Sequence, residues 1–243
     1  MKIAAAQISS SIGHPSQNVS SHLKLVDLAA KHNAALVVFP ELSLTGYEPS
    51  LATKFAVAKD DCVFDALQNS SDVNAVTIVA GAPLQCDGLP QIAAFIIAPC
   101  RPIRVYSKYY LHSDEEPYFS PGCCSDSLIS TDPGVSLAIC YELSVQQHAQ
   151  AAIDAGASVY AASVWKTTSG IRTASERLSW IARNDSVNVL MANGASRKGT
   201  AECAGGSAAW SRNGDLIASL DSTSEAVLVM DSVSEDFVIA AVS

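Results

Sequence analysis

The chain has 243 residues, 49% hydrophobic and 16% charged, enough apolar content for one sizeable core and too much for a disordered segment. Fifteen basic against 24 acidic residues leave a formal charge of −9, so no basic stripe is available to neutralise a phosphate backbone, and nucleic acid is not an expected partner. The best apolar run, Ile92 to Ala98, is far too short to span a bilayer, and the apolar stretch after Lys2 stops at Gln7, short of the ~7 to 15 residues a signal peptide needs. A cytoplasmic chain with no membrane partner is expected.

In chain order, Ile3 to Gln7 reads as a strand, and Ser16 to Asn33 as a helix with Val19, Leu23, Val26 and Ala30 on one face. Strands follow at Ala35 to Phe39, Val76 to Gly81, Ile92 to Ala98, Ile103 to Lys108, Val135 to Cys140, Ser158 to Val164, Val187 to Ala192, Ser207 to Trp210 and Ala226 to Met230. Helices are predicted at Cys62 to Asn69, Glu142 to Ala155 and Ile171 to Asn184. Hairpin-like pairs occupy Ile92 to Lys108 and Ser207 to Leu220, the second turning at Asn213-Gly214. The alternation predicts an α/β fold with mixed sheets. No repeat or linker justifies a cut, so residues 1–243 are expected to form one domain. The stretch Leu111 to Thr131 is long and strand-poor, the mark of a functional loop.

Seven cysteines without CxxC spacing argue against a disulfide framework and against zinc, and the five histidines show no i, i+4 pairing, so no metal site is expected. Three side chains at strand ends draw attention: Glu41 after Phe39-Pro40, Lys108 after Ile103 to Tyr106, and Cys140 at the end of Val135 to Ile139. Taken alone, the first two read as solvated strand ends and the third as a small core residue. A cysteine delivered onto a turn into a helix also has a functional reading, because a helix N-terminus lowers a thiol pKa.

Together these segments resemble the nitrilase, or carbon-nitrogen hydrolase, superfamily over nearly the whole chain. Phe39-Pro40-Glu41-Leu42 with Thr45-Gly46-Tyr47 looks like its glutamate segment, Tyr106-Ser107-Lys108 with Leu111 like its lysine segment, and Ala138-Ile139-Cys140-Tyr141-Glu142 like its cysteine segment. Gly81-Ala82-Pro83, Tyr118 to Gly122, Gly156-Ala157, Ala192-Asn193 and Gly206-Ser207 add further matches. The resemblance implies a four-layer αββα sandwich of two mixed β-sheets flanked by helices, a homodimer or larger homo-oligomer, and no cofactor. It also implies catalytic Glu41, Lys108 and Cys140 acting on a small-molecule amide, with Glu115 as a second carboxylate between the lysine and Pro121-Gly122. The residue types suit that chemistry: a poor amide electrophile needs a soft nucleophile, a base and a cation at the oxyanion. Tyr47, Tyr141, Trp165 and Lys166 are the expected substrate contacts, with the Tyr141 N–H as second oxyanion donor and Lys166 or Arg172 placed to meet a substrate carboxylate.

The chain departs from the family pattern in three places: Ile181 to Asp185 replaces an Arg-Ala-x-Glu-Asn run, Gln91-Ile92-Ala93 replaces Asn-Ser-Ala, and no proline follows the cysteine segment. Nitrile hydrolysis by the same three residues, or a non-catalytic binding protein on the same fold, are the alternatives. A serine-acylation reading rests on Ser163-Val164-Trp165-Lys166 alone, since Lys198-Gly199-Thr200 is scrambled relative to K-T-G. The adjacent Cys123-Cys124 pair reads as loop thiols, because vicinal cysteines close only a strained ring.

Overall fold

Strand β1 (Lys2–Gln7) is buried on both faces because its side chains alternate between two apolar clusters, Ile3 and Ala5 on one side and Ala4 and Ala6 on the other. Its neighbours repeat that pattern. The computed structural model describes residues 1–123, 127–196 and 203–242. Beside β1 run β2 (Leu36–Val38) and β3 (Thr77–Leu84) in parallel; β4 (Gln91–Ile97) and β5 (Arg104–Ser107) then return antiparallel.

A second sheet contains β6 (Leu128–Thr131), β7 (Gly134–Ile139), β8 (Val159–Ser163), β9 (Asn188–Ala192), β10 (Ala208–Trp210) and β11 (Leu216–Ser219), of which β7, β8 and β9 are parallel. The chain then rejoins the first sheet through β12 (Ala226–Asp231), antiparallel to β1, and β13 (Phe237–Ala241). The orders are β13-β12-β1-β2-β3-β4-β5 and β11-β10-β9-β8-β7-β6.

Helices α1 (Pro15–Lys31), α2 (Ala52–Phe55), α3 (Asp65–Asn74), α4 (Gln146–Asp154) and α5 (Ile171–Asp185) complete the fold. Val19, Leu25 and Val26 of α1 and Leu67 of α3 cover the outer face of the first sheet, sharing a cluster with Val37, Ile78 and Phe95. On the second sheet, α5 lays down Ala174, Leu178, Ile181 and Ala182 at helical spacing, and it stops at Ser186, whose left-handed backbone lets its N–H bond Ala182. Truncating Leu178, fully buried in that stripe, would cost about 2–5 kcal/mol. The inner faces of the two sheets meet in the cluster holding Ile3, Leu36, Leu137 and Val159. The architecture is thus α/β with two mixed sheets between helical layers, in the order αββα.

Several boundaries differ from the sequence reading. The helix expected over Glu142 to Ala155 is broken: Cys140–Ser144 is a 3₁₀ turn, Val145 is extended, and α4 begins only at Gln146. The helix expected over Cys62 to Asn69 opens as a 3₁₀ turn over Cys62–Phe64 and runs on to Asn74. Strands β6 and β13 were not anticipated: β6 takes the last four residues of the stretch read as a strand-poor loop, and in β13 Phe237, Val238 and Ile239 are a uniform apolar run on an exposed edge and show no alternation. Strands β3 and β4 also form an antiparallel pair that the sequence did not signal. Cys124 and Lys198-Gly199-Thr200 lie outside the described residues. Among the described residues no helix is long and apolar enough to cross a membrane.

Candidate active site

Three chain segments leave the two sheets at one end of the sandwich, each held by backbone contacts. Glu41 follows β2, and the Ser163 hydroxyl on the facing sheet donates to the Phe39 carbonyl at 2.7 Å. The Glu41 segment presses so closely on β3 that a Cβ at Gly81 would lie 2.4 Å from the Leu42 nitrogen. Lys108 follows β5, with its carbonyl accepting the Gly122 N–H at 2.8 Å, and a Cβ at Gly122 would lie 2.5 Å from the Ser107 carbonyl oxygen. Cys140 ends β7 at φ 45°, a left-handed conformation that costs a non-glycine residue on the order of 1–2 kcal/mol and that the surrounding turn must hold in place.

These three side chains meet. Lys108 Nζ lies 2.8 Å from Glu41 Oε1 and 2.7 Å from Glu115 Oε1, and all three side chains are shut off from solvent. Glu115 is anchored by the Tyr47 hydroxyl at 3.1 Å and the His112 N–H at 2.8 Å, whereas Glu116 is exposed. Pro117 after it and the one-residue offset separate the two carboxylates. The Cys140 thiol donates to the Trp165 carbonyl at 3.9 Å, and among the described residues the buried Oε2 of Glu41 accepts no hydrogen bond.

The electrostatics follow from burial and this crowding. Burial raises the Glu41 pKa, Lys108 opposes the rise, and the Glu115 charge adds to it, leaving a carboxylate more basic than one in water. Burial by itself would lower the Lys108 pKa, but the Glu41, Cys140 and Glu115 charges outweigh it, so the ammonium stays protonated. Burial and the Glu41 charge push the Cys140 thiol up to about 11, with Lys108 and Lys166 pulling the other way. The lowered thiol pKa expected at a helix N-terminus is therefore reversed: a five-residue 3₁₀ turn has little dipole, and burial dominates.

Tyr47 and Trp165 stack at 5.9 Å with rings 7° apart, and both border a cavity of about 680 Å³ that Ser9, His14, Glu48 and Asp114 also line. Lys166 and Arg172 are not in its wall. Asn193 bonds both backbone polar groups of Lys166, and Arg172, its side chain 87% exposed, stands beside Glu176 in solvent. Tyr141 is not in the cavity wall either; it is exposed, with its ring against His112, centroids 5.1 Å apart. A second cavity, about 450 Å³, lies at the opposite end of the sandwich near Leu36, Thr77 and Ile96; no thiol or carboxylate lines it. Ser163, the serine of the acylation reading, is buried within β8 and spent on Phe39. Among the described residues no group of three or more His, Cys, Asp or Glu side chains is placed to hold a metal.

Sequence reasoning gave no role to Glu142 or Asn193. Asn193 is fully buried, and its side chain copies a strand partner for Lys166; only its place after β9 hinted at this.

A family model described as carbon-nitrogen hydrolase matches residues 2–237. A glutamine-dependent NAD(+) synthetase of Acinetobacter baylyi is 32% identical over 126 residues, 50% of this chain but 23% of that longer protein. A nitrilase of Pyrococcus abyssi is 32% identical over 126 residues, covering 50% of this chain and 48% of that protein. The matched stretch thus spans under half of each of these relatives. Among solved structures, an amidase from Nesterenkonia sp. AN1 superposes with a TM-score of 0.86 at 22% identity, over 95% of this chain and 92% of the other. Another structure of that amidase, at a TM-score of 0.85, is a variant in complex with butyramide.

Proposed function

The chain belongs to the carbon-nitrogen hydrolase family, and we propose that within it this protein hydrolyses the carbon–nitrogen bond of a small carboxamide or N-carbamoyl compound through a thioester on Cys140. The observation that carries this reading is the Lys108 ammonium held between Glu41 and Glu115 beside a buried thiol. Lys108 and Glu115 balance each other's charge, which leaves Glu41, with its raised pKa, as the group able to take a proton.

As the Cys140 sulfur attacks the carbonyl carbon, its proton passes to Glu41. The oxyanion forms against the Lys108 ammonium and the Tyr141 N–H, the second being one of the first amides of a helical turn and so without an intrahelical acceptor. Glu41 returns the proton to the departing nitrogen, and the carbon–nitrogen bond breaks to release ammonia or an amine and leave the thioester. Water then gives a proton to Glu41 and attacks the thioester; the sulfur leaves as the carboxylic acid forms and recovers its proton from Glu41. A buried thiol with a raised pKa suits this sequence, because the thiolate exists only while substrate is being attacked.

Tyr47 and Trp165 would form the wall against which the acyl group lies. The named activities of the relatives add the glutamine side-chain amide and nitriles to the substrates to be tried. A screen for ammonia release across short carboxamides, N-carbamoyl amines, glutamine and nitriles tests the reading, with the Cys140→Ala protein as the blank. Turnover of amides lost in that variant supports it; turnover of nitriles alone replaces it with the nitrilase reading.

A further inference from the structure

One buried carboxylate in this region has no part in the chemistry proposed above. Glu142 is fully buried and sits two residues past the nucleophile. Among the described residues no lysine or arginine pairs with it. Instead, Oε2 accepts the Ile139 N–H at 2.8 Å and the Tyr106 hydroxyl at 2.8 Å, while Oε1 accepts the Tyr109 N–H at 2.7 Å and, more weakly, the Tyr110 N–H at 3.4 Å. Ile139 is the residue before Cys140, and Tyr109 is the residue after Lys108. One side chain therefore ties the strand end that carries the nucleophile, in the second sheet, to the strand end that carries the cation, in the first.

Backbone donors fix the direction of a hydrogen bond at each oxygen of this carboxylate. Backbone N–H groups can only donate, so Glu142 must accept at both oxygens; burial raises its pKa, and these donors pull it back only in part. With Tyr106 donating to Glu142, the His148 Nε2–H donates to the Tyr106 oxygen at 2.9 Å, and the Tyr160 hydroxyl donates to His148 Nδ1 at 2.9 Å. Tyr160 lies in β8 and His148 in α4, so the chain of donors also fastens the turn to the layer behind it. The same carboxylate brackets the turn in which Cys140 is held at φ 45°.

We infer that Glu142 is a positioning residue that sets the distance between the Cys140 sulfur and the Lys108 ammonium. This rests on the assignment of Cys140 and Lys108 proposed above. A glutamine at 142 would keep one acceptor oxygen and turn an NH2 group toward a backbone N–H, leaving that donor unpaired and the two strand ends free to separate.

The test compares wild-type protein with Glu142→Gln, reading steady-state kinetics on an amide that the wild type turns over and the pH dependence of Cys140 alkylation by iodoacetamide. Glu142→Gln should lower kcat by about 10- to 100-fold with KM within about threefold, the pattern of a displaced catalytic group. The midpoint for alkylation should move to higher pH, because a withdrawn Lys108 no longer stabilises the thiolate; loss of stability alone would not move that midpoint. Wild-type kcat and an unshifted midpoint in a folded Glu142→Gln protein overturn the inference. Should that variant not fold, Glu142→Asp, one methylene too short to reach both strand ends, should show the same changes at smaller size, and wild-type behaviour there overturns it equally. If no amide is turned over by the wild type, the functional reading fails, while the alkylation midpoint still decides the role of Glu142.

Discussion

Around Lys108 a buried cation is flanked by the carboxylates of Glu41 and Glu115 and by a thiol; around Glu142 a buried carboxylate is met by N–H and O–H dipoles and by a histidine that burial keeps neutral, its pKa lowered to about 4. In the first cluster, charges perturb one another and leave one carboxylate more basic than usual, so a proton has somewhere to go. In the second, burial raises the Glu142 pKa too, but backbone donors point at both carboxylate oxygens and no site stands open for a proton. One arrangement suits proton transfer and the other suits fixed geometry, although both bury glutamates within the same end of the fold.

Removing the nucleophile from the Lys108 cluster should have the largest effect. Cys140→Ala should lower amide turnover by at least ~10³-fold while the circular dichroism spectrum stays that of the wild type, and ammonia release at a wild-type rate would place the chemistry elsewhere. Next comes Glu115, which aims the cation: Glu115→Gln should cut kcat/KM by roughly 10²-fold through misplacement of Lys108, and Glu116→Gln, in solvent, should stay within about twofold. The reverse order would show that the other carboxylate is the partner of Lys108.

The histidines extend the comparison to stability. His148 and His22, the latter buried in α1 with its pKa also lowered to about 4, are neutral in the fold and take up a proton on unfolding below the ordinary value of 6.5. Between those values the unfolded chain binds more protons, so stability falls as pH drops from about 6.5 toward 4, by up to about 1.4 kcal/mol per pH unit for each histidine. Urea unfolding at pH 7 and pH 5 measures this, and equal midpoints would mean that neither ring is held neutral. The smallest effects belong to the cations after β8: Lys166→Met, removing the charge that favours the Cys140 thiolate, should change the preference between acidic and neutral amides by about 2–5-fold, and Arg172→Met, beside Glu176 in solvent, should leave it unaltered.

Much of the site was legible because its residues stand at strand ends inside recognisable segments, and strand ends are where parallel sheets present function. The register that separates Glu115 from Glu116 could be counted from Pro121-Gly122, and the structure buries the former and exposes the latter. The Cys140 turn was misread because Glu142 to Ala155 is dominated by helix formers such as Leu143, Gln146, Gln147 and Ala149, and the weakly helical Ser144-Val145 pair, where the chain becomes extended, is too short a signal to stand out. Its thiol pKa was misjudged for a related reason: the dipole of a presumed helix is visible in sequence, whereas the burial that outweighs it comes from distant strands. Glu142 was hidden because a glutamate in a first helical turn has an ordinary reading as a solvated side chain, and three of its four donors come from residues 106, 109 and 110, more than thirty positions upstream.

Gly81 bears on how this sequence can change. The atom it lacks would occupy the space of the Leu42 amide, so the location of the Glu41 carboxylate is gauged by an absent methyl group forty residues further along the chain. An alanine there would be a modest substitution by chemistry and solvent exposure alike, yet it would push the Glu41 carboxylate away from the Cys140 thiol. Variation at residue 81 is thus closed for reasons that belong to residue 41, and a library that treats the interior of β3 as ordinary core would lose its active members at a site with no functional group of its own.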